Sequence, residues 1–260
     1  MDALSLFEWT SGRFILVFMR LATLLALAPF YGFKNVSVRV RIGLALLIAL
    51  ILTPVVDVPD LEESPLSQFV LLGLKEIAIG GFLGFALSIV FAAAQFAGHI
   101  AGFQMGLAMA NTVDPQGQVS LSVVGEFFYV LAVLLFLVFD GHLFVLKTVV
   151  HSFELVPVDA FSLNGGAMRH MVRLTSDLFG LAVQLAAPVI AALFATSVTL
   201  GLIARTVPQM NVFIVGFPIK IGLGFFACIL CIPFFAHAFG AAWSTLQRDA
   251  VTLLAALSGV

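Results

Sequence analysis

Residues 66 to 110 form an apolar block of about 45 residues, which as a single helix would run roughly 67 Å. That is about twice the hydrocarbon thickness of a bilayer, where a spanning helix needs about 20 residues. Either the block breaks, with Gly80-Gly81 and Gly98 as the break points, or much of it lies inside protein instead of lipid. Five further apolar blocks, 13 to 33, 36 to 56, 119 to 151, 168 to 203 and 211 to 247, accompany it. Hydrophobic residues make up 62% and charged residues 10%, with a mean hydropathy of +1.15. A soluble domain carries about 25% charge. The chain reads as an all-α, polytopic membrane protein.

A net charge of -2 gives no electrostatic case for binding nucleic acid. The start lacks the positive region of a secretory signal, and Pro29 follows the cleavage-like Ala26-Leu27-Ala28, so this segment is expected to be mature protein. Lys34, Arg39 and Arg41 mark the first loop as cytoplasmic, whereas Asp57, Asp60, Glu62 and Glu63 fill the next. Alternation then puts the N-terminus outside and the 98 to 118 and 204 to 211 loops inside, but Arg169 and Arg173 on an outer flank disagree. The 27 Phe stand against two Trp and two Tyr, although lipid-facing helices carry Trp and Tyr at the interfaces. Cover by other proteins is the inference.

The segment 201 to 222 sets Arg205, Pro208, Gln209, Asn211, Pro218 and Lys220 between two apolar stretches. Buried polar groups need partners, so it is either a loop outside the bilayer or a site. Arg20 inside an apolar helix likewise needs a partner, which the bend at Pro29-Phe30-Tyr31-Gly32 is placed to supply; snorkelling to the interface is the alternative. Gly102-Phe103-Gln104-Met105-Gly106-Leu107 runs through Met109, Asn111 and Thr112 into Val113-Asp114-Pro115, a loop able to deform and seal. Phe139-Asp140-Gly141-His142 reads as a turn with a solvated Asp and His. Ala94, Gly98, Gly102, Gly106 and Ala110 make a small-residue stripe, which serves packing either within the chain or against neighbouring subunits. Cys228 and Cys231 lack the further ligands a structural metal site needs, so no metal, cofactor or catalytic residue is expected. No nucleotide-binding, hydrolase or metalloprotease signature occurs either.

Taken in order, Arg20 and Pro29 with the basic loop, Gly102 to Leu107, Val113-Asp114-Pro115, Phe139 to His142, and Arg205-Thr206-Val207-Pro208-Gln209-Met210-Asn211 with Phe217-Pro218 resemble the FliR family of type III export-gate subunits. The resemblance covers nearly the whole chain, and the 205 to 211 segment is its most specific part. It implies a single-copy subunit, without catalysis, in the bacterial inner membrane at the flagellar basal body. FliP and FliQ would form the channel with it, and FlhB and FlhA would lie nearby; unfolded export substrates would pass. It also implies a FliP-like part (1–184) joined to a FliQ-like C-terminal part (185–260), whose hairpin turns between Arg205 and Phe217. The plug loop would fall near 106–118, carried by Phe103, Gln104, Met105, Gly106, Leu107, Met109, Asn111, Val113, Asp114 and Pro115. Family members often carry phenylalanines there, so the departure at Met109, Asn111 and Thr112 leaves open which side chains seal. Arg20, Asp140, His142, Arg205, Pro208, Gln209, Asn211 and Pro218 would serve subunit contacts and the constriction. Virulence secretion relatives share the pattern. A small-solute transporter with helices broken at Pro208 and Pro218, or an intramembrane enzyme using Asp140, His142 or the cysteines, are the rival readings.

Overall fold

A computed structural model describes residues 3–28, 37–56, 65–107, 122–158, 160–162, 164–207, 209 and 211–258, without the side chains of 3–11, 212 and 213. The described residues fold into eight helices and no strand. They are α1 (Ala3–Leu27), α2 (Val38–Leu52), α3 (Leu66–Gln104), α4 (Val123–Val138), α5 (Gly141–Leu155), α6 (Gly165–Thr206), α7 (Val212–Leu230) and α8 (Ile232–Leu257). α3 and α6 are each long and apolar enough to cross a membrane; up to four spans result if the pairs α4 with α5 and α7 with α8 each count as one.

The helix ends follow from local chemistry. Ser122 caps α4, its hydroxyl accepting from the Gly125 N–H at 3.2 Å, and Glu126 adds a negative charge to the first turn, where the helix dipole favours it. Asn164 caps α6 in the same way, accepting from the Ala167 N–H at 2.9 Å. Between α4 and α5, Asp140 takes the left-handed conformation at φ 53°, which a short polar side chain tolerates and a continuing helix does not. α7 gives way to α8 through a 57° bend at Cys231. Pro233 explains this bend, because it has no N–H for the carbonyl one turn back.

The described chain divides into two compact units. Unit one comprises residues 1–89, 140–175 and 244–260. Its core is aliphatic, with Leu16, Val17, Leu21, Leu24, Ile79 and Leu83 fully buried or nearly so. α1 packs on α3 at bare backbone: a Cβ on Gly80 would collide with the Arg20 carbonyl, and one on Gly84 would lie 2.8 Å from Leu27 Cβ. The C-terminal end of α8 is tied in by Asn164 Nδ2 donating to the Ala256 carbonyl at 2.8 Å and by the Ser162 N–H donating to the Leu257 carbonyl at 2.9 Å.

Unit two comprises residues 90–139 and 176–243, and its core is aromatic. Phe91 meets Phe136 and Phe239 edge-on at 5.4 and 6.0 Å, Phe128 meets Phe235 at 5.0 Å, and Phe136 meets Trp243 at 5.1 Å. Edge-to-face pairs add roughly 0.5–1.5 kcal/mol each beyond the area they bury. Part of the phenylalanine excess is therefore used inside the chain. Trp243, 3% exposed, is a core residue and not an interfacial anchor.

Neither expected break in the long third block occurs. α3 runs unbroken for 39 residues, about 58 Å, because Gly80 and Gly98 are sites where another backbone comes close and not sites where the helix yields. A Cβ on Gly98 would collide with the Val124 carbonyl and the Gly125 backbone, and one on Gly102 would lie 2.7 Å from Ser122 Oγ. At these two positions the small-residue stripe packs within the chain, against the start of α4.

Candidate functional site

Two constellations stand out, one in each unit. The first is built on Arg20, two turns before the end of α1 and 0% exposed. Its Nε donates to Glu76 Oε2 at 2.5 Å and its Nη2 to Glu76 Oε1 at 2.9 Å, a bidentate pair. Nη2 also donates to the Val156 carbonyl at 3.0 Å, and Nη1 donates to Ser152 Oγ at 3.0 Å. The guanidinium lies 3.9 Å from the centre of the Phe153 ring. Four of its five N–H groups are thus accounted for, and Ser152 in turn donates to the Val149 carbonyl at 2.7 Å. One arginine ties together α1, α3 and the end of α5. A partner is therefore Glu76, far along the chain in α3; the turn at Pro29 lies outside the described residues. Snorkelling is excluded by the burial.

The second constellation begins where α3 stops. The Leu107 N–H donates to the Gly102 carbonyl at 3.1 Å and the Gly106 N–H to the Phe103 carbonyl at 3.0 Å, with Gly106 at φ +85°. This is a Schellman ending, which needs a left-handed residue at the position Gly106 holds. Phe103 is 72% exposed and Gln104 is exposed, Leu107 is half-buried, and Met105 is fully buried. Met105 sits on α7 at Gly224, where a Cβ would lie 2.6 Å from Met105 Cγ, and a Cβ on Gly106 would lie 2.7 Å from the Phe217 ring. Gly224 and Phe217 are two turns apart on one face of α7. Met109, Asn111, Val113, Asp114 and Pro115 lie outside the described residues.

Most of the polar segment is helical: α6 runs to Thr206 and α7 starts at Val212, so the turn between them stops at Asn211, short of the expected Phe217. Arg205 is exposed in the last turn of α6, where a cation suits the dipole, and Gln209 is exposed in the turn. Asn211 caps α7, its Oδ1 accepting from the Ile214 N–H at 3.4 Å. Pro218 is exposed inside α7 and Lys220 is half-buried; Pro208 lies outside the described residues. Asp140 is exposed, and half-buried His142 has no hydrogen-bond partner for Nδ1 among the described residues. Cys228 is buried and Cys231 half-buried, both as free thiols.

Residues 12–246 match the family described as bacterial export proteins, family 1. The chain is 36% identical over 222 residues to the flagellar biosynthetic protein FliR of Bacillus subtilis (strain 168), covering 84% of this chain and 85% of that one. With FliR of Pectobacterium carotovorum subsp. carotovorum it shares 35% identity over 253 residues, 95% of each. The chain belongs to the FliR family. It is also 33% identical over 236 residues, 89% of this chain and 90% of the other, to the surface presentation of antigens protein SpaR of Shigella flexneri.

Sequence reasoning about this FliR-family chain missed Glu76, Ser152 and Gly224. A signal for the first was present, since Glu76 is the sole acid in α3 and Arg20 the only charge in α1 after Arg13. Ser152 and Gly224 carry no comparable mark, being small residues whose importance comes from what another helix places beside them.

Proposed function

We propose that this chain is the single-copy FliR subunit of a flagellar type III protein export gate in the bacterial inner membrane, with FliP and FliQ forming the channel beside it. The carrying observation is the match to flagellar FliR proteins over 84% and 95% of this chain. FlhA and FlhB are the further partners, unfolded flagellar proteins the cargo, and the chain performs no catalysis. The uncovered apolar surface of α6 fits such an assembly: most of its apolar stretch is left unburied by the chain, with Phe179, Phe194 and Leu202 exposed. Surface of this kind has to be covered by lipid or by other subunits. Membership in a bacterial export family supports this reading over the transporter and enzyme readings.

In this reading residues 1–184 are FliP-like and 185–260 FliQ-like, and the segment from Phe103 to Pro115, continuing to 118, plugs the pore at rest. Arg205, Pro208, Gln209, Asn211 and Pro218 meet neighbouring subunits at the constriction. Asp140 and His142 serve contacts at the α4–α5 turn. Arg20 acts on those contacts indirectly, by holding α1, α3 and α5 in register. The test is a deletion strain: secretion of flagellar proteins should stop and return with the full chain, whereas undiminished secretion sinks the reading. Removing residues 108 to 114 should raise ion leakage through the assembled complex; unchanged leakage refutes the plug assignment. The SpaR match supports virulence secretion as a second reading, which predicts that the same deletion spares flagellar secretion and abolishes effector secretion.

A further inference from the structure

The meeting of α3 and α7 in unit two is close-packed. On one side stands Met105, fully buried, with Gly224 leaving it room: a Cβ there would lie 2.6, 2.7 and 2.9 Å from Met105 Cγ, Cε and Sδ. Two turns earlier on the same face, Phe217 closes over Gly106. Met105 is unbranched, with three rotatable bonds, so it can leave its seat without a backbone change. On the other side α7 is weakened where it is needed, because Pro218 directly follows Phe217 and offers no N–H to the Ile214 carbonyl. The end of α3 is itself rigid, closed by the Gly106 cap. A rigid helix end thus rests, through one flexible side chain, on a helix with a weak point beside the contact.

We propose that the seat of Met105 at Gly224 is a latch, which fixes the end of α3 to α7 in the resting chain and opens when cargo passes. The inference rests on the export reading for its trigger. The two arrangements are discrete, since a packed interface is either seated or unseated.

The test locks the latch. Met105 Cγ is one bond from Met105 Cβ, so a Cβ at position 224 lies within about 4 Å of it, close enough for a disulfide after a small adjustment. In a Cys228→Ala, Cys231→Ala background, Met105→Cys with Gly224→Cys, treated with copper phenanthroline as oxidant, should cross-link in most of the membrane-resident chain. Secretion of flagellar proteins should fall at least tenfold and recover with reductant. Failure to cross-link, or parental secretion by the cross-linked chain, overturns the latch. A second pair guards against a folding artefact: Gly224→Leu should raise ion passage through the purified complex at least tenfold, and adding Met105→Ala should return it toward the parental level. Equal passage in all three proteins also overturns the latch. If the deletion strain still secretes flagellar proteins, the export reading falls instead, and the ion-passage series alone decides the latch.

Discussion

Removing one partner of the Arg20–Glu76 pair should destabilise the chain far more than removing both. Glu76→Gln keeps the shape of the side chain but leaves a guanidinium that cannot give up its proton facing one neutral amide oxygen, the Ser152 hydroxyl, the Val156 carbonyl and the Phe153 face, with no counter-charge among them. Breaking a buried pair in this way costs about 3–5 kcal/mol. Arg20→Met leaves the Glu76 carboxylate buried without its counter-charge and falls in the same range. The double variant Arg20→Met, Glu76→Met removes both charges and replaces them with apolar side chains, an exchange that is often close to neutral. What remains is the Val156 carbonyl, which loses its Arg20 donor at a cost of about 1–3 kcal/mol. Ser152 keeps its bond to the Val149 carbonyl and adds little.

The double variant should therefore be more stable than Glu76→Gln by about 2 kcal/mol, roughly thirtyfold in the folded-to-unfolded ratio. The assay is the loss of the detergent-extracted chain on heating or in denaturant, with its steady-state level in membranes as the cellular readout. Charge reversal, Arg20→Glu with Glu76→Arg, should not rescue, because the new carboxylate would face the Val156 carbonyl. Single variants at parental stability, or a double variant no better than the singles, would refute the reasoning.

Three further outcomes follow from positions where the backbone decides. Gly106→Ala should cost at least about 1–2 kcal/mol for the left-handed conformation, and Phe217→Ala beside it should recover only the steric part, as measured by thermal unfolding of the extracted complex. Gly98→Leu should abolish accumulation of the chain, because its side chain would have to occupy the Val124 and Gly125 backbone; a normal level in membranes would disprove that crossing. Asp140→Gly should leave stability within about 0.5 kcal/mol of the parent, whereas Asp140→Val, β-branched at a positive φ, should lower it by about 1–3 kcal/mol.

The legible part of this chain was the part written locally. Apolar blocks gave the helices and the Asp140-Gly141 pair gave the turn between α4 and α5, because each depends on residues within a few positions of one another. The turn between α6 and α7 was expected from Arg205 to Phe217 on the resemblance alone, and α7 already begins at Val212. Between the two alternatives for the third block, break or burial within protein, the glycines could not decide, for a physical reason. A glycine in a membrane helix marks either a yielding backbone or a close neighbour, and only the neighbour's position tells which. For Gly80 and Gly98 the neighbours are the Arg20 carbonyl and the start of α4, respectively. The same dependence on distant chain hid the partner of Arg20. A buried charge demands an opposite one, which the sequence could state; Glu76 is 56 positions away, which local pattern could not reach. That demand nevertheless narrows the choice, since α3 offers a single carboxylate. In an apolar chain the few charges must find one another across the fold. Pairing lone charges between long helices is therefore a sharper guide to which helices touch than the hydrophobic pattern, which is alike in all of them.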